Sequence, residues 1–326
     1  MTKFIRRLQK IGSSILVSLP KEWIDASNLS KGSQVEIETG QDSLSISANK
    51  ETRSAKELVI SYPLPMEENI VANITGAYLL GYDIIQINSQ SIIPGGDREK
   101  IRNSMRGLVG MEIIEEDASK INMQFLLDTA TLNPEKILKR MSSIALGMYD
   151  DVSNGLISDD KSNLKTLSKR DVEVNRQYFL LVRLIRSTLV DKRLANIFNL
   201  ENIDVLDYRV AANLLENAGD TIVELANFIY DSSLPKELLK KIHLTVRNFN
   251  SLAEKSIDAF TKPDRGIAIE AIASHIKFQE DLSKLRIAIG NKKQIPIDFL
   301  DLVYMFERIA KSWADVVDLI QPIYHK

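Results

Sequence analysis

The chain has 326 residues, of which 44% are hydrophobic and 26% charged, a composition typical of globular proteins and not of disordered ones. Its 42 Lys and Arg residues are balanced by 44 Asp and Glu residues, which excludes nucleic-acid binding that rests on overall basic charge. The absence of cysteine excludes disulfides and thiolate sites, and no run reaches the roughly 18 apolar residues of a membrane span, so we expect a cytoplasmic protein.

The first 53 residues predict a small domain of short strands around one short helix. Alternating apolar residues and turn signals place the strands at 4–11, 14–19, 35–38 and 44–47, and the helix at 20–28. A unit of this size buries too little apolar surface to be stable alone, so we expect it to form a homodimer.

Every charged residue before Glu22 is basic, which is the clearest local charge bias in the chain. Contacts from Lys and Arg to phosphates supply much of the affinity of proteins for DNA. The candidate DNA-binding residues are therefore Lys3, Arg6, Arg7 and Lys10. Charge alone supports equally well a second interpretation, in which these residues belong to a solvated strand at the edge of the domain and do not bind DNA.

Three short motifs follow one another in this region: Arg6-Arg7-Leu8-Gln9-Lys10-Ile11-Gly12, Leu19-Pro20-Lys21-Glu22-Trp23 and the Lys31-Gly32 turn. Their order resembles the AbrB/SpoVT swapped-hairpin family. The resemblance implies a dimer in which two chains interlace one β barrel and contact DNA, with Arg6 and Arg7 at the family's N-terminal basic positions. Ile24-Asp25-Ala26 stands where many members are basic, so a domain that only dimerises stays open.

Residues 54–131 predict a small α/β domain that connects the two ends of the chain. The predicted order is β-α-β-α-β-β, with strands at 58–60, 84–87, 111–114 and 121–127 and helices at 69–80 and 98–109. The loop Pro94-Gly95-Gly96-Asp97 lacks the Lys and Ser/Thr of a phosphate-binding loop. We find no catalytic motif in this domain.

Residues 132–326 predict an all-α domain. The apolar spacing indicates six helices, at 134–156, 160–195, 202–231, 235–261, 264–290 and 296–323. A weak internal repeat divides them into two tandem three-helix bundles, at about 132–232 and 233–326. The predicted fold class is therefore α+β multidomain, with a β-rich head, a small α/β domain and a helical body.

Four oxygen-bearing side chains are candidate metal ligands in the first bundle. Glu216 and Asp220 are four residues apart on one helix, so they share a face, and Asp171 and Asn175 repeat that spacing on the preceding helix. Carboxylate and amide oxygens are ligands that hard divalent cations prefer. Acidic pairs at this spacing are also common on solvent-facing helices, so the spacing alone does not distinguish a metal site from surface residues.

Two segments resemble the signatures of the PhoU family: Tyr208 to Asp220, with an Arg before Glu-x-x-Gly-Asp, and Arg170 to Arg176. The resemblance implies that Asp171, Asn175, Glu216 and Asp220 bind a divalent metal ion. The second bundle departs from the pattern, because Lys311 replaces an acid and the pair His275 and Gln279 replaces the expected ligands. We expect Lys311 to neutralise Glu307 and the second site to be weak or absent.

The combination of the two domain types resembles archaeal-type phosphate uptake regulators. It implies a DNA-binding transcriptional regulator with a helical sensor half, whose partners are DNA, a second copy of the chain, and a phosphate transporter component or signalling kinase. The alternative is an interaction protein whose N-terminal domain serves only to dimerise it. We expect no enzyme, because the chain lacks Glu-x-x-His pairs, a nucleophile elbow and a Walker motif.

Overall fold

The structure is a computed structural model that describes residues 3–39, 44–48, 55–290 and 296–320. It divides into two compact units, Met1–Ala55 and Lys56–Lys326. The expected boundary at 53/54 lies outside the described residues. The divisions at 131/132 and near 232/233 stay proposals. None of the described helices is long and apolar enough to cross a membrane.

The first unit consists of two antiparallel strand pairs and one short helix. Gly12, at φ +62, provides the left-handed backbone of the tight turn between the first two strands. The elements are β1 (Gln9–Ile11), β2 (Ser14–Leu16), α1 (Lys21–Ala26), β3 (Val35–Thr39) and β4 (Leu44–Ala48).

The first strand of this unit is shorter than predicted, because it begins at Gln9 and not at Phe4. Among the described residues of a single chain, residues 3–8 pair with no strand. Apolar side chains here are open to solvent, among them Ile5 at 85% and Leu8 at 72%. A second chain that interlaced with the first would bury them.

The second unit begins with a four-stranded sheet in the order β5-β6-β8-β7, in which β5 and β6 are parallel and the other neighbours are antiparallel. The predicted β-α-β-α-β-β order is confirmed, although α3 begins at Gly95 and not at residue 98, because Pro94 starts its first turn. The elements are β5 (Glu57–Tyr62), α2 (Ile70–Leu79), β6 (Ile84–Ser89), α3 (Gly95–Met105), β7 (Met111–Glu116) and β8 (Lys120–Phe125).

The rest of the second unit is helical, as predicted, but two of the six predicted helices are broken. Asp191 interrupts one because its side chain accepts a hydrogen bond from the Arg193 N–H and caps a new helix. The other breaks beside Phe249, whose ring is fully buried. The helices are α4 (Pro134–Gly155), α5 (Leu167–Val190), α6 (Lys192–Phe198), α7 (Asn202–Asp231), α8 (Lys236–Val246), α9 (Asn250–Thr261), α10 (Arg265–Gly290) and α11 (Ile297–Asp318).

The helices pack as two groups, α4 with α5 and α7, and α9 with α10 and α11, and α11 packs on α7. Aromatic side chains join the groups. The Phe249 ring lies 4.3 Å from Tyr149 and 5.2 Å from Trp313, between ring centroids. The indole N–H of Trp313 donates to Ser142 Oγ at 3.0 Å, so this buried polar group is paired. The two groups therefore share one core.

Arg183 on α5 attaches the helical part to the sheet. Its side chain is buried, and it donates to the carbonyl oxygens of Tyr78 and Tyr82, each at 2.8 Å. It also pairs with Asp83 Oδ1 at 3.0 Å and stacks on the Phe125 ring at 3.9 Å. Arg presents several donors in a fixed plane, so one side chain can hold all these groups at once.

Candidate functional site

The candidate site lies between the packed helices α5 and α7, at Gly219. Gly219 of α7 faces Asp171 of α5, and a Cβ added at Gly219 would lie 2.7 Å from Asp171 Oδ1 and 3.5 Å from Val174. The distance to Oδ1 is shorter than a carbon and an oxygen atom that are not bonded can tolerate. The carboxylate of Asp171 can occupy this position only because Gly219 has no side chain. The Glu-x-x-Gly-Asp segment thus places its Gly opposite the acid of the preceding helix.

The carboxylates on this seam perturb one another. Burial and then the charge of Asp220 raise the pKa of Asp171 from 3.8 to about 6, although the hydrogen bond from Asn175 acts in the opposite direction. The pKa of Glu216 is also raised, first by burial and then by Asp220 and Asp171, against the opposing charge of Arg209. Three of the four predicted ligands therefore lie within electrostatic reach of one another.

One oxygen of this cluster lacks a partner. Asn175 Nδ2 donates to Asp171 Oδ2 at 3.0 Å, so the fourth predicted residue also belongs to the cluster. The other oxygen, Asp171 Oδ1, is buried, and none of the described residues donates a hydrogen bond to it. A buried carboxylate oxygen without a donor is costly, and a bound cation would satisfy it.

The side chains as they stand do not form a complete metal site. Among the described residues, no group of three or more His, Asp or Glu side chains is arranged to hold a metal ion. The chemistry of the donors nevertheless fits a hard divalent cation, because Asp171, Glu216 and Asp220 supply carboxylate oxygens. Binding would require Glu216 or Asp220 to rotate toward Asp171, and both are less buried than Asp171.

The corresponding acids of the second helical group are neutralised by cations of the chain itself. Glu307 pairs with Arg286 through two contacts of 2.6 and 2.7 Å, and not with Lys311 as predicted. Lys311 pairs instead with Asp315, four residues on. The expectation of a weak or absent second site stays a prediction, with Arg286 as the neutralising residue that the sequence reasoning missed.

In the first unit, the four predicted DNA-binding residues Lys3, Arg6, Arg7 and Lys10 are exposed. The guanidinium of Arg6 lies 5.6 Å from the centre of the Phe4 ring, and among the described residues none of the four forms an ion pair. These side chains therefore keep their charge available for a polyanion.

Two segments of the chain match models of known protein families. Residues 8–50 match the family model described as "Antidote-toxin recognition MazE, bacterial antitoxin", and residues 138–229 match the PhoU domain. These matches confirm the AbrB-type head and the PhoU-type body predicted from the sequence. Both are regulatory or interaction domains.

A solved structure described as "Crystal structure of PhoU from Pseudomonas aeruginosa" is similar, at 13% identity and a TM-score of 0.37, over 57% of this chain and 93% of that one. No curated protein matches the sequence.

We predict that Gly219→Ala lowers the free energy of unfolding by about 1–2 kcal/mol, because the new methyl group displaces the buried carboxylate of Asp171. The control is Gly76→Ala in α2, where an added Cβ meets nothing within 4 Å and helix propensity favours Ala by up to about 1 kcal/mol. Urea unfolding checks both variants. An equal increase in the free energy of unfolding in both variants would show that the seam tolerates a side chain at position 219.

We predict that Asp171→Asn stabilises the metal-free protein at pH 7.5 but not at pH 4. The pKa of Asp171 is higher in the folded chain than in the unfolded chain, so the folded state binds the extra proton between about pH 4 and 6. The free energy of unfolding therefore decreases as the pH rises through that window, because the folded chain must give up this proton. An Asn side chain does not ionise, so the variant avoids this decrease.

Unfolding in the presence of a chelator at both pH values measures this difference. Asp231→Asn, at the exposed end of α7, is the matched control and should change little at either pH. A difference between Asp171→Asn and the native protein that does not change with pH would contradict the assignment.

Proposed function

We propose that this chain, which joins a MazE/AbrB-type domain to a PhoU domain, is a cytoplasmic DNA-binding transcriptional regulator whose helical half senses a divalent cation. The observation that carries the proposal is the presence of both domain matches in one chain. In this proposal the MazE/AbrB-type domain binds DNA, and the PhoU domain binds the divalent cation. Neither role requires catalysis, and we propose none.

The exposed basic residues of the first unit support the DNA part of the proposal. A homodimer would double the set of Arg6 and Arg7 and present two related surfaces to a two-fold symmetric DNA site. The chain as a whole has a net charge of −2, so this local set would have to provide the attraction to phosphates.

The α5–α7 seam supports the sensor part. Asp171, Glu216 and Asp220 would hold the cation, with Asn175 oriented by its hydrogen bond to Asp171. When bound, the cation supplies positive charge that offsets the repulsion among these carboxylates. Without it, the burial of Asp171 opposes its ionisation at neutral pH.

A chain of contacts leads from this seam to the first residue of the second unit. Asp171 and Arg183 lie on the same helix, twelve residues apart, and Arg183 pairs with Asp83. The other oxygen of Asp83 accepts the backbone N–H of Lys56, where the second unit begins. A displacement of α5 would therefore act on Lys56, the first residue of the second unit.

Phosphate homeostasis is the regulated process we propose, on the strength of the PhoU match. A phosphate transporter component or a signalling kinase would then be the protein partner of the helical half. The alternative function is an interaction protein that acts on such a partner directly. It is favoured by α1, whose last turn carries no basic residue, so the first unit would only dimerise the chain.

A salt-dependent shift assay distinguishes the two functions. With DNA from the region upstream of the protein's own gene, at about 50 mM salt, we expect the native protein to bind and the double variant Arg6→Ala/Arg7→Ala to lose at least tenfold in affinity. The slope of log affinity against log salt should also become shallower in the variant, by about 0.9 for each phosphate that it no longer neutralises.

The matched control is Lys240→Ala/Lys241→Ala, a pair of adjacent exposed cations in the helical part, which should bind as the native protein does. Sedimentation must show that all variants keep the same oligomeric state. No binding by the native protein at low salt would overturn the DNA-binding proposal and favour the alternative.

A further inference from the structure

A groove opens at the end of the second unit where α7 and α10 both pack on α11. Its volume is about 830 Å³. Ile203 of α7 and Ile269 and Ile272 of α10 form its apolar walls, and Val317 of α11 lies among its lining residues. The groove is distinct from the seam of Asp171, because α5 contributes no lining residue to it.

Further exposed apolar side chains, which lie outside the groove's lining residues, follow the same two helices at helical spacing. Ile203, Leu206 and Val210 are 43, 62 and 43% exposed, and they follow one face of α7. Ile269, Ile272 and Ile276 do the same on α10, at 56, 43 and 51%. Each row extends over seven residue steps, or about 10 Å at the helical rise, which is about two turns of a helix.

The charge around the groove is one-sided. Of its described lining residues, Glu201, Asp204, Asp207 and Asp318 are acidic and Arg265 alone is basic. Neither Asp207 nor Asp318 forms an ion pair among the described residues. Burial and the charge of Asp204 raise the pKa of Asp207, so a cation placed beside it would relieve an existing repulsion.

We propose that this groove binds a basic amphipathic helix of a partner protein. Apolar side chains at positions i, i+3 or i+4 and i+7 of such a helix would contact Ile203, Ile269 and Ile272, as in other helix-in-groove complexes. Its Lys or Arg side chains would reach the acids at the rim. This inference depends neither on DNA binding nor on the cation, so it can fail while the proposed function stands.

The probe is a labelled 18-residue peptide of Leu and Lys with apolar residues at helical spacing, titrated by fluorescence anisotropy against the full chain. A peptide of the same composition with strict Leu-Lys alternation is the peptide control. We expect the helical peptide to bind, and Ile272→Lys to weaken its binding at least tenfold. Ile287→Lys, 65% exposed on the same helix but outside the groove, should leave it unchanged.

The charge contribution is tested separately. Asp207→Asn/Asp318→Asn should weaken binding several-fold and reduce its salt dependence, while Glu67→Gln/Glu99→Gln, two exposed acids elsewhere, should not. Equal binding by the native protein and Ile272→Lys would overturn the proposal. So would binding that appears only after residues 321–326 are removed, or self-association of the native chain that Ile272→Lys abolishes, since either result assigns the groove to another occupant.

Discussion

The close approach of α5 and α7 at Gly219 is the constraint on which the candidate site depends. Because Gly219 has no side chain, the carboxylate of Asp171 occupies a buried position beside Glu216 and Asp220. Helix packing would ordinarily fill such a position with an apolar group. The chain instead retains a carboxylate oxygen without a hydrogen-bond donor, which is an arrangement suited to a ligand and costly without one.

A second buried charge explains how such a site could matter elsewhere in the molecule. Arg183 is held by two carbonyl groups, Asp83 and an aromatic ring, so α5 cannot move without disturbing the sheet. Removing one partner from a buried charge is strongly destabilising. The same helix thus connects the acidic seam to Lys56, the first residue of the second unit, while the groove between α7 and α10 offers a separate surface for a protein partner.

Much of this arrangement could be predicted from local sequence patterns, and the remainder could not for identifiable reasons. Helical spacing places Glu216 and Asp220 on one face, and alternation and turn signals give the order of strands and helices along residues 54–131. The pairing of Glu307 with Arg286, not with Lys311, depends on how α10 and α11 are rotated against each other. The role of Arg183 also escaped prediction, because its partners lie about 100 residues away in sequence.

The most direct test of the account is calorimetric titration of the full-length protein with MnCl₂ at pH 7.5, since carboxylate oxygens are suited to this ion. We predict saturable binding by the native protein, at least tenfold weaker binding by Asp171→Asn, and unchanged binding by Asp315→Asn, whose carboxylate is paired with Lys311. Native protein that takes up no Mn²⁺, or an Asp171→Asn variant that binds it as tightly as the native chain, would contradict the assignment of the α5–α7 seam as a cation site.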